Sequence, residues 1–252
     1  MHILIALLPS LLWGAMALLN AAFPAEPRRQ NTFVIAGGGA ASLLTSPLTG
    51  ATWSLHSLAW GMLSGLLWSI GIIFLLKGFQ TWGTSRTMPL TAALQLTLNG
   101  LIGVVLLGEW RAPGAMGLGM SAIALVIVGG VAGAWQEGEG VGPSPRMRRT
   151  GALMTVCSAV FLAIYPGMLR LAHVSSADAV GPMGIGLLVG AVIASRVLPR
   201  KGPLRGEGAI PAVLSGVAWA LGNFALLRST SIVGVAAGFT FGQLGFVIAT
   251  LG

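Results

Sequence analysis

Residues 63–83 read LSGLLWSIGIIFLLKGFQTWG, and residues 214–234 read LSGVAWALGNFALLRSTSIVG. At an offset of 151, without a gap, Leu63, Ser64, Gly65, Trp68, Gly71, Leu75, Leu76 and Gly83 meet Leu214, Ser215, Gly216, Trp219, Gly222, Leu226, Leu227 and Gly234. Lys77 meets Arg228, which keeps the charge. An offset longer than half the chain is not a solenoid period. It marks a duplicated half. In a chain this apolar, duplicated halves are a mark of secondary transporters, whose binding sites form where the repeats meet.

Composition sets the class. The 252 residues are 55% hydrophobic and 8% charged, where soluble domains carry about 25% charged residues. Such a chain cannot cover a water-facing surface. The net charge of +8 points to cytoplasmic loops rather than nucleic acid, because Lys and Arg accumulate there and no basic stretch carries interleaved aromatics. Cys157 is the only cysteine, so neither an intrachain disulfide nor a thiolate cluster is available. The N-terminus lacks the basic start and short apolar core of a signal peptide.

A bilayer-spanning helix needs roughly 20 apolar residues. The uncharged runs place spans at about 2–22, 33–46, 56–76, 86–107, 114–135, 151–170, 179–197, 210–230 and 233–252, with Ser46-Pro47 dividing the second from the third. The expected organisation is a first five-helix repeat over 1–135, a polar linker over 136–149, and a second, incomplete repeat over 150–252. The 151-residue offset maps span five onto 265–286, beyond Gly252, and span four onto about 237–258. The sequence therefore reads as a ten-span, all-α integral membrane protein truncated to about nine spans.

Five spans per half is an odd number, so the halves enter the membrane from opposite sides and form an inverted 5+5 repeat. Arg28, Arg29, Lys77, Arg86, Arg146, Arg148, Arg149, Arg196, Arg200, Lys201 and Arg205 fall on one side, which is 11 of the 14 basic residues; Arg111, Arg170 and Arg228 fall on the other. The positive-inside rule puts the N-terminus outside and the 136–149 linker inside.

Polar groups within spans cost free energy unless paired, so they mark candidate sites. Thr91, Gln95 and Asn99 form one stripe on span four. Trp60, Ser64 and Trp68 do so on span three, and Ser215, Trp219 and Asn223 on span eight. Span one adds Trp13 and Asn20 on one face, and span nine adds Thr240 and Gln243. The expected substrate-binding set is Trp13, Asn20, Trp68, Gln95, Asn99, Trp219, Asn223 and Gln243. Repeat mates Trp68 and Trp219 should lie symmetrically about the centre. Met88-Pro89 should loosen span four, because Pro removes a backbone donor, with Arg86 fixing that helix break.

These are amides, hydroxyls and indoles. Amides bond hydroxyls both ways and indoles stack on apolar ring faces, so a neutral, hydroxyl-rich ligand fits and a cation does not. Each residue also has a plainer reading. A Trp near a span end anchors at the interface, and Gln or Asn within a span serves as interhelical glue. Glycines four apart, as at 61/65, 129/133, 186/190 and 234/238, signal close helix packing. Lys77 reads as a snorkelling anchor, and Glu109 as a loop residue paired with Arg111.

Ser85-Arg86-Thr87-Met88-Pro89-Leu90 with Gln95-Leu96 resembles the glucose/ribose porter family of the drug/metabolite transporter superfamily. Leu8-Pro9-Ser10 with Trp13-Gly14, Ser64-Gly65-Leu66-Leu67-Trp68, Gly108-Glu109-Trp110, Trp219 with Gly222-Asn223, and Thr250-Leu251-Gly252 support it. The resemblance runs the whole chain in order. It implies a ten-span bacterial sugar uptake protein using protons, and a continuation past Gly252. The family's sugar contacts do not carry over position by position, so the site set rests on the residue stripes.

The resulting expectation is a proton-linked secondary transporter importing a glucose-like sugar across the cytoplasmic membrane by alternating access. Its partners are the sugar, protons and the lipid bilayer, with no nucleic acid, no metal and no cofactor; the residues leave a homodimer open. Alternatives are a drug or metabolite exporter of the same superfamily and a non-transporting membrane sensor. A membrane enzyme requires a convergent acid, base or nucleophile set. His2, His56 and His173 instead lie near span ends, and Asp178 is the only Asp.

Overall fold

The structure is a computed structural model describing residues 2–23, 25–134 and 144–243. These residues form nine α-helices: α1 (His2–Ala22), α2 (Pro27–Thr45), α3 (Leu55–Trp82), α4 (Thr84–Leu101), α5 (Ala115–Ala134), α6 (Pro145–Leu171), α7 (Ser176–Val197), α8 (Ala209–Val233) and α9 (Val235–Gln243). No strand occurs among the described residues. A 3₁₀ turn, Ser46–Thr49, follows α2 at the expected divide. A π-helical stretch, Ile102–Leu106, continues α4. Seven of the helices are long and apolar enough to cross a membrane; α1 holds a shorter apolar stretch, Leu7–Asn20.

Local chemistry moves several boundaries beyond the uncharged runs. Glu26 accepts a hydrogen bond from the Arg29 N–H, and Pro27 supplies the first helical residue, so α2 starts at 27 rather than 33. Ser144 accepts from the Met147 N–H ahead of Pro145, which carries α6 six residues further out than expected. The first part of the 136–149 linker lies outside the described residues. α3 opens on a reciprocal Ser54/Ser57 capping box. It runs on to Trp82 because no helix breaker intervenes before Gly83.

The expected break at Met88-Pro89 is corrected. α4 continues through Pro89, whose missing N–H falls in the second turn, and the Pro89 ring packs against the bare backbone of Gly133 on α5. The chain bends instead at Gly83, with φ 90° and ψ 151°, between α3 and α4. Its repeat mate Gly234, between α8 and α9, has φ 89° and ψ 164°. Glycine adopts this backbone without the clash a Cβ would create.

The packing is between the two halves of the sequence. α3 lies against α6 and α7, α8 against α1 and α2, and α2 against α7. Gly61 and Gly65 on α3 meet Pro182 and Met183 on α7; in return Gly186 and Gly190 meet Met62 and Ser69. Gly216, the mate of Gly65, sits on the Val34 carbonyl of α2. Without water to drive association, this close backbone approach supplies the dispersion contact. Ser64 donates to the Tyr165 carbonyl at 3.1 Å, and its mate Ser215 donates to the Met16 carbonyl at 3.3 Å. By contrast α5 packs mainly on α4 and leaves Leu118, Leu125 and Val128 exposed. Such a surface belongs in hydrocarbon.

Candidate functional site

Trp68 sits mid-way along α3 and Trp219 mid-way along α8. Their ring centroids are 4.0 Å apart with planes inclined at 35°, and each is 4% exposed. Around this pair lies a cavity of about 160 Å³. Trp13 from α1, Thr91 and Gln95 from α4, Tyr165 from α6 and Phe239 from α9 complete its wall, with Ile72, Leu75 and Met88 as apolar lining. Trp13 Nε1 donates to the Trp219 carbonyl at 3.4 Å, and its ring meets Phe239 edge to face at 6.3 Å.

The polar groups of this wall come from one stripe on α4 and one tyrosine. The Thr91 hydroxyl is buried with no hydrogen-bond partner among the described residues, as is that of Thr87 one turn earlier. Gln95 also faces the cavity. The Tyr165 hydroxyl donates to Asn223 Oδ1 at 3.1 Å, which leaves its own oxygen able to accept. No Asp or Glu among the described residues lines the cavity. Unpaired polar groups within a dry helical bundle cost free energy. A ligand with hydroxyls on its edge and a C–H face toward indole offsets that cost.

The structure thus brings together Trp13, Trp68, Gln95 and Trp219 of the expected set. Asn223 stands behind the wall, 1% exposed, held by Tyr165 and by Met183 sulfur at 3.3 Å. Asn99 is equally buried; its Nδ2 donates to the Gln95 carbonyl at 2.9 Å and its Oδ1 has no partner among the described residues. Asn20 lies further out, accepting from Gln30 Nε2 at 3.1 Å. The Gln243 side chain lies outside the described residues. Arg86 makes no side-chain hydrogen bond among the described residues and does not line the cavity.

Tyr165, Thr91 and Phe239 were missing from the expected set. Thr91 belonged to the span-four stripe and lacked only a weight. Tyr165 is the sole tyrosine of the chain, within an uncharged run, and that was its available signal. Phe239 carries no sequence signal in a chain this apolar.

The cavity continues toward one end of the bundle. A space of about 530 Å³, bounded by Asn20, Gln30, Asn31 and Phe79, shares Met16, Ile72, Leu75 and Met88 with it. This is the end holding Arg28, Arg29 and the α7–α8 loop; Arg29 reaches the carbonyls of Pro203 and Glu207 there. At the opposite end a separate space of about 530 Å³, bounded by Glu109, Arg170, His173 and Thr230, shares no lining residue with the central cavity. Glu109 departs from the expected local pair with Arg111. Its two oxygens accept from the Val235 N–H at 2.6 Å and the Ala236 N–H at 3.1 Å.

Helices long and apolar enough to cross a membrane surround this central cavity, the architecture of an integral membrane protein. The model of the family described as "Sugar transport protein" matches residues 4–252, and the chain belongs to that family. It is 34% identical over 258 residues to the glucose uptake protein GlcU of Bacillus subtilis (strain 168), covering 100% of this chain and 87% of that protein. A putative sugar uptake protein of Listeria monocytogenes is 32% identical with the same coverage. A probable glucose uptake protein GlcU of Priestia megaterium is 32% identical over 260 residues, again covering 100% and 87%. One solved crystal structure, 18% identical, superposes with a TM-score of 0.59 over 99% of this chain and 97% of that one, and shares the fold.

Proposed function

We propose that this protein imports a glucose-like sugar across the bacterial cytoplasmic membrane, linked to protons. The observation carrying the reading is the indole-walled cavity to which, among the described residues, the Gln95 amide and the Thr91 and Tyr165 hydroxyls add neutral hydrogen-bonding groups. Neutral hydrogen-bonding groups beside aromatic faces select a neutral polyol with an apolar ring face. The relatives named for sugar or glucose uptake support the same substrate class.

Transport proceeds by alternating access of two inverted five-helix halves around this cavity. The paired packing of α3 on α6 and α8 on α1, the stacked repeat mates Trp68 and Trp219, and the matching bends at Gly83 and Gly234 support that reading. The basic end faces the cytoplasm by the positive-inside rule, with the N-terminus outside. The described conformation then opens inward, and Asn20 lines the exit path. Among the residues expected at the site, Trp13, Trp68, Gln95 and Trp219 contact sugar, and Asn223 positions Tyr165. Gln243 is proposed to complete the wall from α9, Asn99 to support Gln95, and Arg86 with Pro89 to set the entry of α4.

Uptake of labelled glucose by a host lacking its own sugar importers tests the function. Accumulation that collapses with a protonophore is expected. No uptake with or without a gradient overturns it.

A further inference from the structure

The space of about 530 Å³ at the end opposite the open vestibule is that vestibule's counterpart in the other half of the sequence. Leu76 and Phe79 of α3 bound the vestibule; 151 residues on, Leu227 and Thr230 of α8 bound the opposite space. The vestibule is walled chiefly by α1, α2 and α3, and the opposite space chiefly by α6, α7 and α8. The second space also stacks beyond the central cavity. Tyr165 walls that cavity, and Arg170, further along α6, walls the space, about 7.5 Å away along the helix.

The two spaces differ in chemistry. Amides of Asn20, Gln30 and Asn31 line the vestibule; Glu109, Arg170 and His173 line its counterpart. Arg170 Nε is buried with no partner among the described residues. A guanidinium serving only as an anchor at the end of α6 carries its nitrogens out to water, whereas a buried donor left unpaired costs free energy. His173 lies just past α6 with φ 55°, a place that glycine usually fills. Glu109 accepts from the Val235 and Ala236 N–H groups, which uses two of its roughly four lone-pair positions. The Thr230 hydroxyl donates to the Leu227 carbonyl at 2.9 Å, and its oxygen can still accept.

We infer that this space is a second sugar site, which captures the neutral polyol on the outer face before it reaches the indole-walled cavity. The inference rests on the transport reading above for the identity of the ligand and for which face is outer. Arg170 and Glu109 carry opposite charges, so their walls favour a neutral ligand over an anion or a cation. The guanidinium donates to adjacent sugar hydroxyls, the carboxylate accepts from them, and imidazole does either. Hydrogen bonds to charged groups are roughly twice as strong as those between neutral ones. The outer face therefore loads at sugar concentrations that leave the amide-lined vestibule empty. The volume lies within the range of about 300–1,000 Å³ usual for small-molecule sites.

Ser231 is exposed at the edge of the space, and its hydroxyl is turned back to the Arg228 carbonyl. Ser231→Cys in a Cys157→Ser background, purified in detergent, reports occupancy by its rate of labelling with a maleimide. Glucose at about 100 mM, two decades above ordinary substrate KM values, should slow labelling roughly tenfold or more against an equal concentration of betaine. Inorganic phosphate should not. Adding Gln95→Leu, which weakens the central site, should leave the half-blocking glucose concentration within about twofold. Arg170→Gln should raise that concentration about tenfold while leaving tryptophan quenching by glucose at the central site unchanged. His173→Gly keeps the left-handed backbone without strain; it should raise the half-blocking concentration about threefold and serves if Arg170→Gln does not fold. Absence of glucose protection, protection by phosphate instead, protection lost with Gln95→Leu, or protection that either Arg170→Gln or His173→Gly leaves unaltered overturns the outer site. Protection in a protein that imports no glucose overturns the transport reading and leaves the outer site standing.

Discussion

Trp68 and Trp219 are repeat mates 151 residues apart in sequence and 4.0 Å apart between ring centroids. Each uses one face on the other and turns an edge or face to the central cavity. The pair therefore serves packing and site at once. Truncating either to Ala removes a buried aromatic, which costs about 3–5 kcal/mol in protein cores. Trp68→Phe keeps most of the contact. Thermal unfolding in detergent should fall far for Trp68→Ala and Trp219→Ala, and only slightly for Trp68→Phe. Equal losses for Phe and Ala would contradict a stacking role.

Gln95 and Thr91 reach the cavity from the same face of α4. Neither side chain has a hydrogen-bond partner among the described residues that a substitution would orphan. Gln95→Leu and Thr91→Val should leave stability unchanged or raised. Each should weaken sugar binding about tenfold, the equivalent of roughly 1.4 kcal/mol for one lost hydrogen bond. Tryptophan quenching titrations with sugar measure this directly, through Trp13, Trp68 and Trp219.

Tyr165 and Asn223 form one hydrogen bond across α6 and α8. Removing either partner alone strands a buried polar group, at about 1–3 kcal/mol. Tyr165→Phe and Asn223→Leu should each destabilise, and the double variant should recover part of the loss. A double-mutant cycle with no coupling would remove Asn223 from its positioning role.

Glycine contacts differ along the chain in a way that a single substitution reads out. A Cβ on Gly65 collides with the Met183 carbonyl, which is backbone and cannot rotate away. A Cβ on Gly117 in α5 meets nothing within 4 Å. Gly65→Ala should lower the melting temperature, with overpacking costing about 1–3 kcal/mol. Gly117→Ala should raise it slightly, since Ala gains about 0.5–1 kcal/mol over Gly within a helix.

Much of the fold was legible because the bilayer admits few solutions. The uncharged runs fall on the described helices, seven of them long and apolar enough to cross a membrane, and the differences lie at helix ends, where Glu26 and Ser144 cap longer helices into the charged flanks. The site was half legible. Indoles and Gln95 stood out as polar or bulky groups in apolar runs. Asn99 and Asn223 stood out equally, yet Asn99 bonds back to its own helix and Asn223 to Tyr165 and Met183, because helical periodicity gives a side chain's angle but not the partner it meets.

Composition by itself determined a helical membrane protein, the 151-residue offset tied residues 63–83 to 214–234, and the match over residues 4–252 determined its family. Those features are one-dimensional: charge spacing follows bilayer thickness, and duplication leaves a fixed offset. Only the tertiary structure decided that Trp68 stacks on Trp219, that Tyr165 borrows Asn223, and that Glu109 caps α9 rather than pairing with Arg111. Each joins residues 58 or more apart in the chain. Their meeting depends on how deeply helices interlock at bare glycines, a distance that no local pattern records.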